Sequence, residues 1–152
     1  ENRMDNEEVK NLLCDITVSV LESAAFLFVD EEKMAPYSIN EIDFRGARIQ
    51  FSGFKDGRVF LWMTEETADD AARNMLGLDD DYEVNEKQRD DVLMEILNMI
   101  IGNLLTAMFG ENVIFKLSIP EKINNEETPE SFPDTTVFLS IDEHPLLISI
   151  EL

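Results

Sequence analysis

One long apolar run of the sequence carries a carboxylate and an amide at a spacing that suits hydrolytic chemistry. Glu95 and Asn98 lie three residues apart, so their side chains are neighbours on a helix surface. A carboxylate pairs with a cation, whereas an amide both donates and accepts hydrogen bonds and can hold a water molecule in one orientation. An amide that orients an attacking water is a recognised device in phosphoryl transfer. The pair could therefore bind a cation and hold a water molecule beside it.

The residues around this pair form a narrow strip on an otherwise apolar helix. At about 100° per residue, Asp91, Glu95, Asn98, Gly102 and Thr106 share a sector roughly 80° wide. A buried carboxylate is costly without a partner, so we expect the strip to face a groove or solvent. The alternative interpretation is the ordinary solvated face of an amphipathic helix. The spacing alone is a weak signal, because it occurs twice more, at Glu8/Asn11 and Glu121/Asn124.

The sequence offers few residues for other catalytic mechanisms or for a metal site. Cys14 and His144 are the only cysteine and histidine, which excludes an intramolecular disulfide and a zinc site built from several such ligands. His144 lies in a sequence typical of a turn, which argues against a catalytic triad. Asp79-Asp80-Asp81 lacks the spacing and glycine of an EF-hand, so a solvated acidic turn is expected rather than a calcium site. We therefore expect no metal site in this chain.

The net charge of the chain and the length of its apolar stretches limit the classes of molecule that it could bind. The chain has 152 residues and a formal net charge of −21, which argues against nucleic-acid binding and against docking on an anionic membrane. The mostly apolar stretch Met99–Phe109 contains a polar residue and is too short to span a bilayer. No signal-peptide pattern stands at the start, and the lone cysteine suits a reducing compartment. We expect one cytoplasmic domain over residues 1–152.

Periodicity and capping residues predict three helices. Apolar residues recur every three to four positions from Asn6 to about Ala25. A short second helix is expected to begin after Thr64, a good N-cap, and to end near Leu76. The third helix carries the strip and runs to about Phe109, after an N-cap and capping box formed by Asn85 and Gln88.

The remaining segments predict strands around these helices. Alternating apolar residues from Ile39 to Phe51, with Gly46 as a bend or bulge, lead into an Asp-Gly turn and the strand Val59–Met63. Later strands are expected at Val113–Ile119, Thr136–Ile141 and Leu146–Leu152, with Glu121–Asp134 as a surface loop. The order predicts an α+β fold in which a mixed or antiparallel sheet packs against the long first and third helices.

The strip and its context resemble the chemotaxis phosphatases of the CheC/CheX family. The resemblance rests on Asp91-x-x-x-Glu95-x-x-Asn98 followed by Met99-Ile100-Ile101-Gly102-Asn103. It is supported by the strand-then-helix step Gly57–Ala68, by Met75-Leu76-Gly77-Leu78 and by Pro120 after the motif helix. These segments follow one another in the family's order, and the similarity spans most of the chain, from the first helix to the last strand.

The resemblance implies a phosphatase that acts on the aspartyl phosphate of a CheY-type response regulator. Glu95 would anchor to a lysine of the regulator and Asn98 would orient the attacking water, with Asp91 and Gly102 in the contact surface. The Mg²⁺ ion and the phosphoryl group would belong to the partner, and this chain would need no cofactor. A single complete motif resembles the CheX type and implies a homodimer.

Two alternatives stay open at the level of sequence. Leu97 stands where the family usually has a small residue, and if it faced the partner it would hinder insertion of Asn98. The chain would then resemble a non-catalytic response-regulator or flagellar-switch interaction module of the same fold. Glu8 and Asn11 could also mark a relic second site on the first helix.

Overall fold

The computed structural model describes residues 4–30, 43–123 and 132–152. Their elements follow in the order α1 (Asn6–Ala25), β1 (Phe44–Gly53), β2 (Gly57–Thr64), α2 (Glu65–Leu76), α3 (Glu86–Phe109), β3 (Phe115–Leu117), β4 (Glu121–Ile123), β5 (Thr136–Ile141) and β6 (His144–Glu151). The predicted strand residues before Asp43 lie outside the described part of the chain.

The described strands form one antiparallel sheet. Its order is β3-β1-β2-β6-β5, and β4 pairs with β1 beside β3. Side chains alternate across it, so Val59, Leu61 and Met63 join the main core, whereas Phe60 and Trp62 join a smaller aromatic cluster. The sheet thus has one face for the helices and a second face with its own apolar cluster.

The third helix lies at the centre of the helical layer. It packs against α1, α2, β1 and β2, and its buried residues are Val92, Leu93, Ile96, Leu97, Ile100, Ile101, Leu104 and Leu105. The predicted capping box is present: the Asn85 side chain accepts from the Gln88 N–H, and the Gln88 side chain accepts from the Asn85 N–H. Helix α2 begins after Thr64, whose hydroxyl accepts from the Thr67 N–H, as the sequence predicts. The predicted α+β fold with two long helices on a sheet is confirmed.

The bend predicted at Gly46 is wrong. Gly46 pairs with Trp62 in an uninterrupted register that runs from Phe44↔Thr64 to Phe51↔Gly57. A Cβ at Gly46 would lie 2.7 Å from Trp62 Cδ1, so the glycine makes room for an indole on the neighbouring strand. Gly46 is therefore required by the packing of Trp62 on the neighbouring strand and not by a bend in its own strand.

Several strand boundaries also differ from the prediction. Glu121–Ile123, predicted as the start of a loop, is the edge strand β4, because β1 offers Gly46–Arg48 for pairing beside it. Only Phe115–Leu117 of the predicted strand 113–119 pairs with β1. The β5–β6 turn consists of Asp142 and Glu143, so His144 begins β6 rather than lying in the turn.

Candidate functional site

The strip on α3 faces outward along its whole length. Asp91, Glu95, Asn98, Gly102 and Thr106 are all exposed, while the valine, leucine and isoleucine side chains of the helix are buried. This confirms the prediction that the strip faces solvent or a groove. The site is thus a row of groups on the outer face of a helix, available to a second molecule.

Glu95 and Asn98 have no side-chain interaction with the part of the protein that the structure describes. Among the described residues, neither side chain has a hydrogen bond, and Glu95 has no ion pair. Their polar atoms are therefore available to a partner without first breaking a bond to a described residue.

Leu97 does not lie on the exposed strip. Its side chain is 0% exposed and belongs to the main core. It lies about 160° around the helix from Glu95. The steric obstacle considered from the sequence is therefore absent, because this leucine points into the protein.

Asp91 is paired within the helix. Lys87 Nζ donates to Asp91 Oδ2 at 2.7 Å, one turn earlier on the exposed surface. The hydrogen bond from Lys87 to Asp91 raises the pKa of Lys87, and their charge attraction acts in the same direction. Sequence reasoning missed Lys87, although its i,i+4 spacing to Asp91 is the standard signal for such a pair. Glu95 is consequently the carboxylate of the strip that has no ion pair with a described residue.

Ion pairs hold the start of α3 on the sheet. Arg45 of β1 reaches Glu65 of α2 and both Glu86 and Asp90 of α3. The Arg45 side chain is 16% exposed, so its charges are partly shielded from water. The hydrogen bond with Glu86 raises the pKa of Arg45 and, reciprocally, lowers the pKa of Glu86.

A second arginine continues this network. Arg89 of α3 contacts Asp69 of α2 and also lies within ion-pair distance of Glu65 and Glu86. Its pKa is raised by the hydrogen bond to Asp69. The network and the buried face together fix the helix, so the strip is presented on a rigid support.

The first helix presents a similar but engaged pair. Glu8 and Asn11 are both exposed, but Glu8 is the third residue of α1 and closes its capping box with Asp5. Helix capping therefore gives Glu8 a structural role. The second Glu-x-x-Asn pair is thus less available than Glu95 and Asn98.

Other polar groups of the described residues do not form a competing site. Within residues 4–30, 43–123 and 132–152, no group of three or more His, Cys, Asp or Glu side chains is arranged to hold a metal ion. Asp79, Asp80 and Asp81 are exposed residues of the α2–α3 connection. A cleft of about 600 Å³ beside Arg58 and Lys116 contains no residue of the strip.

Helix α3 is also long and apolar enough to span a membrane by length and composition alone. Its most apolar window has a mean hydropathy of 1.8, and 44% of that window is buried inside the protein. The helix packs on two other helices and on the sheet. These contacts are those of the core helix of a folded domain.

Comparisons with known proteins place the chain in one family. A family model described as "Chemotaxis phosphatase CheX" matches residues 45–143, which is more than half of the chain and includes all of α3. No curated protein matches the sequence closely enough to count as a relative.

Solved structures share the fold at low sequence identity. A CheX protein from Desulfovibrio desulfuricans is 20% identical with a TM-score of 0.71, covering 95% of this chain and 99% of that one. The CheX–CheY–BeF3–Mg²⁺ complex from Borrelia burgdorferi matches with 19% identity and a TM-score of 0.66, covering 97% of both chains. FliY from Thermotoga maritima is 16% identical with a TM-score of 0.53, covering 93% of this chain and 86% of that one.

Proposed function

This chain belongs to the CheX family of chemotaxis phosphatases, and we propose that it stimulates hydrolysis of the aspartyl phosphate on a CheY-type response regulator. The observation that carries the proposal is the pair Glu95 and Asn98, exposed and without a side-chain partner among the described residues, on a helix whose valine, leucine and isoleucine side chains are buried. The chain is then a protein aspartyl-phosphate phosphatase that works on a folded substrate in chemotaxis signalling.

Glu95 is the proposed anchor. A phosphorylated regulator site combines a metal ion, a phosphoryl group and a cationic side chain. The carboxylate of Glu95 would pair with a regulator lysine, and its nearest strip neighbour, Asp91, is already balanced by Lys87. The electrostatic attraction between the strip and the regulator lysine would therefore act mainly through Glu95.

Asn98 is the proposed catalytic residue. Its amide lies one turn from Glu95 on the same face, so anchoring the glutamate brings the amide to the phosphoryl group. There it would accept a hydrogen bond from a water molecule and direct the oxygen of that water at phosphorus. This step needs positioning rather than a nucleophile or base from this chain.

The metal ion is proposed to belong to the regulator. The relative from Borrelia burgdorferi was crystallised with CheY, BeF3 and Mg²⁺, and beryllium trifluoride stands in for a phosphoryl group on a carboxylate. The Mg²⁺ ion would neutralise charge on the phosphoryl oxygens. No cofactor of this chain is needed for the proposed reaction.

A non-catalytic interaction module of the same fold is the second candidate. The structural likeness to FliY favours it, because that likeness shows that the fold is shared beyond the CheX proteins. In that case the strip would bind a regulator or flagellar-switch partner and leave the lifetime of the phosphate unchanged. The two candidate functions differ only in whether hydrolysis of the regulator phosphate is accelerated.

The test is the decay rate of a phosphorylated CheY-type regulator in the presence of the wild-type protein and two asparagine variants. Asn98→Ala is expected to lower the stimulated rate by about 10²–10³-fold, as loss of one positioned polar group does in other enzymes. Asn103→Ala removes an exposed amide of the same helix, about 140° from Asn98 and about 80° from Glu95 around the helix axis, and is the matched control. Full activity of Asn98→Ala would overturn the mechanism, and binding without turnover by the wild type would favour the second candidate.

We also propose a cytoplasmic homodimer. Its candidate interface is the edge of the sheet at β3, where Ile114 and Ile119 are 88% and 84% exposed. Large apolar side chains beside an edge strand invite association with a second strand. A second copy of the chain would cover them.

A further inference from the structure

The fold accounts for five of the six glycines of the chain. Three have positive φ angles, which favour glycine: Gly53, Gly77 and Gly110. A Cβ on Gly46 would meet the indole of Trp62, and one on Gly57 would lie 2.5 Å from the carbonyl oxygen of Glu151. Each of these five positions would be strained or crowded by a side chain.

Gly102 is different. It lies inside α3, is exposed, and a Cβ built on it would meet no described atom within 4 Å. Alanine is more favourable than glycine in a helix interior, because glycine loses more backbone freedom on folding. No described contact requires glycine at this position, and alanine there would favour the helix, so we look for the reason in a contact with another molecule.

The position of Gly102 indicates what that contact is. It follows Asn98 by four residues, so it lies one turn further along the same exposed strip. Side chains of a helix lean toward its N-terminus, so a side chain at 102 would lie over the turn that carries Asn98. Without it, the surface beside the amide is bare main chain.

We propose that Gly102 gives clearance to a main-chain segment of the regulator next to its phosphorylated aspartate, so that Asn98 can enter the site. The inference rests on the proposed function and adds a steric requirement to it. Glycine is the residue that allows another backbone to approach most closely. Gly102 is thus a positioning residue, since it sets the depth to which Asn98 is inserted.

The experiment compares Gly102→Ala and Gly102→Leu with Ala107→Leu. The last variant adds bulk to an exposed position of α3 about 120° from Glu95 and is the control. Gly102→Ala is expected to raise Tm by about 2–4 °C, because it removes the cost of a helical glycine. The same variant is expected to lose about 10- to 100-fold in kcat/KM for the phosphorylated regulator, since a small misplacement has effects of this order. Gly102→Leu is expected to lose more, and Ala107→Leu to keep the wild-type activity.

Several outcomes would overturn the inference. One is wild-type activity of Gly102→Ala, and another is a lower Tm for that variant, which would show that the fold itself needs the glycine. A third is loss of the proposed dimer on gel filtration together with activity, which would place Gly102 in an interface between copies. Failure of the proposed function is distinguishable, because the wild-type protein would then leave the decay rate of the regulator phosphate unchanged.

Discussion

Removing the charge of Glu95 should weaken regulator binding without affecting the folded protein. Glu95→Gln keeps the shape of the side chain and deletes one negative charge. Because Glu95 is exposed and has no partner among the described residues, the free energy of unfolding should change by less than about 0.5 kcal/mol. The effect of the substitution is therefore expected in the complex alone.

The size of the effect follows from the electrostatic setting. Two unit charges about 4 Å apart attract by about 1 kcal/mol in water and about 4 kcal/mol near a protein surface. An exposed helix face lies between these limits after the cost of desolvation, so we expect a loss of about 1–2 kcal/mol. This corresponds to roughly a 5- to 30-fold rise in Kd for the regulator.

The assay is Kd measured by calorimetry from low salt to about 1 M, over which the Debye length falls from about 30 Å to about 3 Å. The wild-type Kd should rise with salt, and the rise should be smaller for Glu95→Gln. Asp91→Asn is the matched control: its charge is already balanced by Lys87 at 2.7 Å, so its Kd should change by less than about threefold. Equal affinities and equal salt dependences for wild type and Glu95→Gln would refute the anchoring role.

Four further predictions concern the support of the site and the assembly. Leu97→Ala should lower the free energy of unfolding by about 2–5 kcal/mol in a denaturant titration, because this fully buried side chain leaves a cavity. Gly46→Ala should cost about 1–3 kcal/mol in the same titration, since its methyl group would press on a buried indole. The pKa of Glu86 is lowered in the folded protein, so its ion pair with Arg45 stabilises the fold fully above the ordinary pKa of 4.5. This stabilisation is lost as the pH falls through the lower pKa of the folded state. Arg45→Gln should therefore flatten the dependence of Tm on pH in that range. Ile119→Glu should shift the proposed dimer to monomer in sedimentation experiments while the regulator phosphatase activity of each chain persists.

Sequence reasoning predicts the helices and the strip well because their signals are local. The period of apolar residues, the capping box at Asn85 and the turn between Phe54 and Arg58 each depend on residues close in sequence. The exposure of Glu95 and Asn98 follows from the same helical period. These parts of the fold could therefore be read without knowing what packs against them.

The features that were missed depend on residues far apart in sequence. Gly46 is explained only by Trp62 on the next strand, and β4 exists only because β1 has a free edge beside it. The Arg45 network joins one strand to two helices through charges that no local pattern connects. The orientation of Leu97 was left open because a small residue was expected there, although its helical angle already places it on the buried side.

The lack of internal bonds at the strip has a consequence for how this fold evolves. Because Glu95 and Asn98 support nothing inside the described chain, substitutions at these positions are almost free of stability cost, and selection for folding does not preserve them. Under the proposed function, one change would abolish turnover while the fold persists, and one reversal would restore it. A lineage built on this helix is expected to move between phosphatases and silent binding proteins in single mutational steps.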